Sequence, residues 1–544
     1  MTKGPYDAIV IGSGAGGGAC AYGLAARGKK VLVLEAGPRY NPHTDYNIDK
    51  YDWEVKRFPD KEKGKYTFGE GQPLKEELSR LMSRNRADGL YNPAAKRKYI
   101  KYFNAKGVGG STLRYQGEAH RFHPKAFKIK TLYGVGNDWP FGYDELAPYY
   151  ETAEKILGVA GPDPDPYHPR KNPLPLPPHK LSYSSQFIEK ACSGMGLRLI
   201  PNTLAILSQA YDGRPPCNYC CACAEGCSRK DKGSIDVTFI PKAEATGNCK
   251  VLEEAHVFHL NVEKGKVSEV LYYDREGKER SVSAKAVAVV IACGAVETPR
   301  LLLNSKVRDK SGQIGKNFME TLIWLGTALH PERLDSHRGI PIDGEVLDYL
   351  FPETKLPFAS GFRLISTSGM ATGPLSFALR YFKGWGTGLE ESVKQYFGHT
   401  LSMGGVGEFL PNRDTFITLD EKEKDRFNVP VARIQAYLGE NEIKILDFMS
   451  ARCKEILKAA GAGEIIDEIS SYDLFWATHV FGTCIMGEDP DTSVVNPFCR
   501  SHEISNLFVA DASVFPSSGG GSSPSLTISA NALRVADFIV KSLA

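Results

Sequence analysis

The glycine-rich segment at residues 12–17 constrains the fold of this chain more than any other feature. It reads G-S-G-A-G-G and lies between an apolar run, Tyr6 to Ile11, and a helical stretch that leads to a second apolar run, Val31 to Leu34. Glu35 follows, where an acid would hydrogen-bond a ribose diol. A bare G-x-G-x-x-G is commonly a turn, but the flanking strands and Glu35 favour a dinucleotide-binding β-turn-α-β unit. The glycines that would let the backbone approach a pyrophosphate at the helix N-terminus are Gly12, Gly14 and Gly17.

A second dense feature is the cysteine-rich loop at residues 217–227, which holds five of the twelve cysteines. Four of them follow the spacing C-x2-C-x2-C-x3-C, the intervals of the bacterial ferredoxin run, with Ser228 in place of its proline. Closely spaced thiolates suit iron–sulfur chemistry, whereas a structural zinc site takes two cysteine pairs farther apart. We therefore expect an iron–sulfur cluster, three-iron or four-iron; a zinc site and a disulfide-bonded or idle loop are the alternatives. The expected ligands are Cys217, Cys220, Cys223 and Cys227, with Cys221 as the spare thiol.

Composition excludes some classes of protein. The 544 residues are 42% hydrophobic and 24% charged, which is typical of a soluble globular protein with two or three domains. A formal charge of +3 is too small to indicate a nucleic-acid or anionic-membrane binder. The longest apolar run, Ala286 to Val296, is too short to cross a bilayer.

The same features bear on location. The strand pattern begins too near the N-terminus to leave room for a secretory signal, and the cysteines outside the loop show no paired spacing. We therefore expect a cytoplasmic, reducing location, or a periplasmic one if a partner subunit carries the export signal.

The middle of the chain is organised in segments of different character. Residues 38–100, rich in charge, proline and tyrosine, are expected to form a surface excursion. Residues 106–112 are glycine-rich and are interpreted as a second cofactor-contacting turn, with a plain flexible loop as the alternative. Residues 139–159 have helical apolar spacing, and the eight prolines in 160–178 indicate a surface linker.

The second half begins with β patterns over residues 249–293, which end on an expected buried strand at 286–292. Thr298-Pro299 is expected to open the next helix. Residues 325–470 lack phosphate-cradling glycines and suit a substrate-facing domain.

The reaction is assigned to the C-terminal part of the chain. There His479 is followed by V-F-G-T-C, and a strand pattern ends at Asp511. The glycine- and serine-rich segment 517–527 then opens a final helix. An imidazole with a reference pKa near 6.5 accepts a hydroxyl proton at neutral pH, so His479 is the candidate base. A lone histidine is more often a satisfied core residue, and the neighbouring motifs decide between the two interpretations here.

Together these motifs resemble the glucose–methanol–choline (GMC) family of FAD oxidoreductases over nearly the whole chain. The first glycine segment resembles the family's FAD-binding unit, G-V-G-G-S-T at 107–112 its first signature, residues 294–305 its second signature, and His479 with Gly482-Thr483 its catalytic segment. The resemblance implies hydride transfer from an alcohol carbon to flavin N5. The further cofactor contacts that it implies are Gly109, Gly110, Ser111 and Asp511.

The fold implied is α/β (α+β), a Rossmann-like FAD-binding domain with a discontinuous substrate domain built on a β-sheet. The FAD-binding domain would take residues 1–45, 100–130, 232–320 and 471–544. The substrate domain would take 131–210 and 321–470, and the cysteine-rich cluster loop 211–231.

Within the family, the cysteine loop and G-V-G-N-D-W-P at 134–140 look most like the catalytic subunit of bacterial FAD-dependent sugar dehydrogenases. That implies a sugar or polyol substrate, electrons leaving FAD through the iron–sulfur cluster to a cytochrome-type acceptor, and a small chaperone-like partner subunit. An oxygen-using alcohol oxidase with structural cysteines is the first alternative. A flavoprotein without alcohol chemistry and a zinc-stabilised NAD-dependent dehydrogenase are further ones.

Two positions depart from the family pattern. Ser523 stands where relatives place a second catalytic His or Asn, and its shorter side chain reaches less far toward a substrate oxygen. Glu320-Thr321 stands where relatives often have Asp-His.

Overall fold

A computed structural model describes residues 6–46, 83–90, 98–284, 287–367, 373–382, 384–472 and 479–542. Its strands, in chain order, are β1 (Ala8–Ile11), β2 (Val31–Leu34), β3 (Ser83–Leu90), β4 (Lys98–Asn104), β5 (Leu199–Pro201), β6 (Cys249–Leu252), β7 (His256–Glu263), β8 (Lys266–Tyr273), β9 (Glu279–Ser283), β10 (Ala288–Ile291), β11 (Met319–Glu320), β12 (Leu322–Leu329), β13 (Ile342–Val346), β14 (Phe362–Thr367), β15 (Thr400–Gly407), β16 (Phe416–Lys424), β17 (Pro430–Tyr437), β18 (Ile465–Ser470), β19 (Val480–Phe481) and β20 (Leu507–Val509). Its α-helices are α1 (Ala15–Ala25), α2 (Pro42–Asp45), α3 (Ile129–Tyr133), α4 (Tyr143–Leu157), α5 (Tyr183–Gly194), α6 (Phe239–Ala245), α7 (Gly294–Asn304), α8 (Pro374–Tyr381), α9 (Thr387–Tyr396), α10 (Glu440–Ala459) and α11 (Ser525–Ser542).

The predicted β-turn-α-β unit forms the centre of a five-stranded parallel sheet. Its strand order is β20-β10-β1-β2-β6. β1 pairs with β2 from Ala8↔Val31 onward and with β10 from Ala8↔Ala288 onward. Every residue of β1, β2 and β10 is buried, as expected for parallel strands covered on both faces. The predicted α/β fold with a Rossmann-like sheet is confirmed.

A second, antiparallel sheet has six strands in the order β18-β12-β15-β14-β13-β5. The helix α10 packs on it, and β15, which reads T-L-S-M-G-G-V-G, is buried at every position. Its glycines permit the close approach, since a Cβ added at Gly405 would lie 2.3 Å from Met449 Cγ. The strands of both sheets fall within the residue ranges predicted for the two domains, and the domain division itself stays a prediction.

Residues 83–90 lie within the segment 38–100 that is expected to form a surface excursion, and they adopt a regular strand. They form β3, which pairs in parallel with β17 and antiparallel with β4 in a four-stranded sheet. These residues form a strand because they pair with neighbouring strands, and their polar sequence gives no indication of that pairing.

The helix after β10 begins at Gly294, earlier than predicted, and has Pro299 inside it. A proline removes the hydrogen bond to the carbonyl four residues before it, here that of Ala295. Thr483 Oγ1 donates to Ala295 O at 2.8 Å and so replaces the missing donor. Asp511 accepts from Gly294 N at 2.9 Å and from Thr298 Oγ1 at 2.5 Å, which caps the helix N-terminus. Two C-terminal motifs therefore complete this helix.

None of the helices in the described ranges is both long enough and apolar enough to cross a membrane.

Candidate active site

The two glycine-rich turns meet at the N-terminus of α1. A Cβ added at Gly110 would lie 2.8 Å from the Cα of Gly14, so the second turn has no room for a side chain at this contact. Gly12 has φ of +93°, and a Cβ there would lie 2.6 Å from Ala292 O. A Cβ at Gly17 would lie 1.9 Å from Gly12 O. The glycines at positions 12 and 17 therefore let the backbone pack tightly at the N-terminus of α1, and Gly14 leaves space there that fits the pyrophosphate of FAD.

Glu35 and Ser13 connect these two turns. Glu35 is buried, and its carboxylate accepts from Ser13 N at 3.0 Å, Ser13 Oγ at 2.6 Å and Gly37 N at 2.9 Å. Ser13 Oγ in turn accepts from Gly109 N at 3.1 Å. Through these hydrogen bonds Glu35 and Ser13 hold the two turns together. The contact of Glu35 with a ribose diol stays a prediction.

The other predicted cofactor contacts lie around the same cradle. Ser111 is exposed within the short 3-10 turn Gly110–Leu113. Asp511 is buried, and its oxygens accept from Gly294, Thr298 and, at 2.8 Å, Ser513 N. The carboxylate of Asp511 therefore joins β20 to the start of α7.

His479 is held by Thr321, one of the two residues that depart from the family pattern. The strands β11 and β19 pair Glu320 with Val480, which sets the two segments side by side. Thr321 N donates to His479 O at 3.2 Å, and Thr321 Oγ1 lies 3.1 Å from His479 Nδ1. Burial lowers the pKa of His479 to about 4, with Glu118 opposing and Arg363 assisting the shift. The imidazole is therefore neutral at pH 7, the form that accepts a proton.

Ser523 is buried and is reached from a part of the chain that no predicted motif includes. Its backbone N–H donates to Nδ1 of His120 at 3.0 Å. His120 is itself buried, and its Nε2 lies 2.8 Å from Asn202 Oδ1. The structure thus places a second imidazole, that of His120, against the backbone of Ser523.

A buried charge network surrounds His120. Arg363 forms an ion pair with Glu118: its Nη1 lies 2.7 Å from Glu118 Oε1, and its Nη2 donates to Glu118 Oε2 at 2.8 Å. Nη1 of Arg363 also donates to Glu345 Oε2 at 3.4 Å. Asn202 Nδ2 donates to Glu118 Oε1 at 3.1 Å. Burial opposes ionisation of Glu118, but Arg363 outweighs it and lowers its pKa to about 2. Burial raises the pKa of Glu345 to about 8, since the guanidinium of Arg363 opposes this shift only in part and the negative charge of Glu118 adds to it.

Sequence reasoning missed this network. Its members come from four distant segments, and each stands in a stretch without a recognisable spacing. The one available signal was the group of charged or titratable residues shortly after the second glycine turn, in the segment G-E-A-H-R at 117–121.

The cysteine-rich loop is held against the second glycine turn by a buried lysine. Lys232 Nζ donates to the carbonyls of Cys223, Leu113 and Tyr115 at 2.6, 2.9 and 3.0 Å. Cys223 packs with Leu204, Ile206 and Ile340 as a small apolar side chain.

The thiols of the loop do not form the predicted cluster site in the structure. Burial raises the pKa of Cys217 to about 12 and also raises the pKa of Cys220, Cys223 and Cys227. Within the described ranges, which include the whole loop, no three His, Cys, Asp or Glu side chains are grouped to hold a metal ion.

Family models described as GMC oxidoreductase match residues 7–323 and 411–532. A 2-methyl-1,2-propanediol dehydrogenase of Mycolicibacterium austroafricanum is 29% identical over 98% of this chain and 95% of its own length. The fructose dehydrogenase large subunit of Gluconobacter japonicus is 30% identical over 99% of this chain and 98% of its own length. Among solved structures, pyridoxine 4-oxidase from Mesorbium loti has a TM-score of 0.66 at 17% identity, covering 98% of this chain and 99% of its own, and shows the similarity of fold.

Proposed function

Because this chain belongs to the GMC oxidoreductase family, we propose that it is a dehydrogenase that oxidises an alcohol group of a sugar or polyol. The protein is an FAD-dependent oxidoreductase acting on CH–OH donors. The observation that supports the proposal best is the neutral imidazole of His479, oriented by Thr321.

The glycine cradle would hold FAD. The proposed contacts at the first turn are Gly12, Gly14 and Gly17, of which Gly12 and Gly17 permit the tight backbone packing and Gly14 leaves space for the phosphates. Glu35 supports this turn, and Gly109, Gly110, Ser111 and Asp511 are the further proposed contacts. Bound FAD supplies a two-electron acceptor for the hydride of the substrate carbon.

His479 is the proposed base. If Nδ1–H donates to Thr321 Oγ1, Nε2 carries no proton and is the atom that receives the hydroxyl proton of the substrate. Ser523 is the proposed second catalytic residue, whose hydroxyl hydrogen-bonds the substrate oxygen as negative charge develops on it.

The choice of a dehydrogenase with a sugar or polyol substrate rests on the relatives. A dehydrogenase of a diol and one of fructose both align along nearly the whole chain. The name "large subunit" of the second relative supports a partner subunit for this chain as well. We include in the proposal a small partner subunit and a cytochrome-type electron acceptor.

An iron–sulfur cluster at Cys217, Cys220, Cys223 and Cys227 also belongs to the proposal. Its support is the ferredoxin-type spacing and the softness of the four thiol donors. The positions of the thiols in the structure add no support to it.

The testing experiment uses protein purified without air. We expect a flavin spectrum that is bleached by D-fructose or 2-methyl-1,2-propanediol, the compounds in the relatives' names, and dye reduction much faster than peroxide formation in air. Peroxide formation as fast as dye reduction would support the oxidase instead, and an unbleached flavin would contradict the substrate class.

Iron and acid-labile sulfide analysis of the same protein tests the cluster. Cys217→Ser should lose iron, whereas Cys221→Ser is the matched control that should keep it. Protein with flavin but without iron would contradict the cluster and leave the alcohol oxidation standing.

A further inference from the structure

The loop that carries Ser523 has little conformational preference of its own. Gly519, Gly520 and Gly521 follow one another with φ of +76°, +70° and +91°. Glycine loses more backbone freedom on ordering than any other residue, so three in succession form a loop that outside contacts must fix. The position of the Ser523 hydroxyl depends on those contacts.

The contacts are hydrogen bonds between the loop backbone and buried charged or titratable side chains. Glu408 accepts from Ser518 N at 2.9 Å and Gly520 N at 2.5 Å. Arg363 Nε donates to Gly521 O at 2.9 Å. His120 Nδ1 accepts from Ser523 N at 3.0 Å. The last two bonds hold the backbone on either side of Ser522.

These last two bonds belong to one closed circuit. Since Nδ1 of His120 accepts, Nε2 carries the proton and donates to Asn202 Oδ1. Asn202 Nδ2 donates to Glu118, and Glu118 is paired with Arg363, which returns to Gly521. Burial and Arg363 lower the pKa of His120 to about 3, so the neutral ring that the circuit requires is the form present.

His120 itself is not placed to touch substrate. It is 2% exposed, and both of its ring nitrogens have protein partners. Whatever it contributes to the reaction therefore passes through Ser523.

We propose that His120 and Arg363 are positioning residues that fix the backbone of Gly521–Ser523 and so aim the Ser523 hydroxyl at the substrate oxygen. This inference rests on the proposed role of Ser523 in alcohol oxidation. Serine has a short side chain with one rotatable bond to its oxygen, so its reach is set mainly by the backbone. A rigid backbone compensates for the missing length of a histidine or asparagine at this position.

The test compares two substitutions of His120. In His120→Asn, Oδ1 takes the place of Nδ1 and still accepts from Ser523 N; in His120→Gln, the amide nitrogen takes the place of Nε2 and the acceptor for Ser523 is lost. We expect kcat to fall roughly tenfold in His120→Gln, with KM and FAD content little changed, because small misplacements near the reacting atoms cost rate. His120→Asn should retain most of the turnover.

A double-mutant cycle shows whether the effect passes through the serine hydroxyl. Ser523→Ala keeps the backbone N–H, so in that background His120→Gln should cause no further loss of kcat. Asn202→Ser, which removes the partner of Nε2, is carried through the same cycle in case His120→Gln does not retain FAD. Equal losses in both backgrounds, or equal losses in His120→Asn and His120→Gln, would overturn the proposal.

Hydrogen exchange measured by mass spectrometry gives a readout that needs no turnover. Peptides covering residues 518–523 should exchange faster in His120→Gln than in the wild type and His120→Asn. Unchanged exchange in His120→Gln would overturn the proposal even if the substrate differs from those assayed. Absent turnover of the wild type would count against the proposed function alone.

Discussion

The imidazoles of His120 and His479 are assigned different roles because protein groups bond different numbers of their ring nitrogens. His120 has both ring nitrogens bonded to protein groups, whereas Thr321 engages only Nδ1 of His479. The Glu320-Thr321 departure from the family pattern therefore has a structural role, since Thr321 orients the proposed base. The sequence alone could identify His479 through its motif, but the partner of its ring lies 158 residues earlier.

The pH dependence of turnover tests the state of His479. Burial lowers its pKa to about 4, and the neutral ring is the active form, so kcat/KM should be flat from pH 6 to 8 and fall only near pH 4. His479→Asn should reduce kcat by about 10²–10⁴ and keep FAD bound, because it removes the base and leaves the glycine cradle intact. The measurement is steady-state turnover against pH, with flavin absorbance as the control for cofactor content. A profile with a midpoint near pH 6.5 would show a solvated ring and contradict the assigned environment.

At the scale of elements, α7 shows how separate motifs complete one another. Its own sequence contains a proline that leaves the Ala295 carbonyl without a donor, and Thr483 supplies that donor from the catalytic segment. This explains why the sequence placed the helix start wrongly. A rule that puts proline in the first turn is sound for an isolated helix, and here a side chain distant in sequence changes the outcome.

Removing the Thr483 hydroxyl should destabilise the protein. Thr483 is fully buried, so Thr483→Val keeps the shape of the side chain and leaves the Ala295 carbonyl without its partner. The free energy of unfolding should fall by about 1–3 kcal/mol, the cost of a buried unsatisfied polar group. Thr483→Ser keeps the hydroxyl and should lose clearly less, and urea unfolding of the three proteins measures the difference. Equal stability of Thr483→Val and the wild type would show that the bond does not support the helix.

At the scale of the whole molecule, the charge network connects the six-stranded sheet to segments that lie near the glycine cradle. Arg363 and Glu345 lie on neighbouring strands of the six-stranded sheet, Glu118 follows the second glycine turn, and Gly521 precedes α11, which packs against α1. The glycine cradle was predictable because its demands are local and glycine alone meets them. The network was not, since Glu118 and Arg363 are 245 residues apart and acquire meaning only when the chain has folded.

The network also makes a prediction about stability against pH. Burial raises the pKa of Glu345 from 4.5 to about 8, so between these values the folded protein holds a proton that the unfolded chain has released. The free energy of unfolding should therefore decline as pH rises through this window, by up to about 1.4 kcal/mol per pH unit from this group. Glu345→Gln stays uncharged and should lack that decline, so its stability relative to the wild type should increase between pH 5 and 9.

Urea unfolding at pH 5, 7 and 9 measures this difference. Glu353→Gln is the matched control, because the side chain of Glu353 is 95% exposed and its removal should give a difference that changes little with pH over the same range. A constant difference between Glu345→Gln and the wild type would mean that Glu345 is ionised throughout. In that case two carboxylates would share the Arg363 guanidinium at neutral pH, and the buried network would carry a net negative charge beside His479, which would favour the protonated imidazole and raise its pKa.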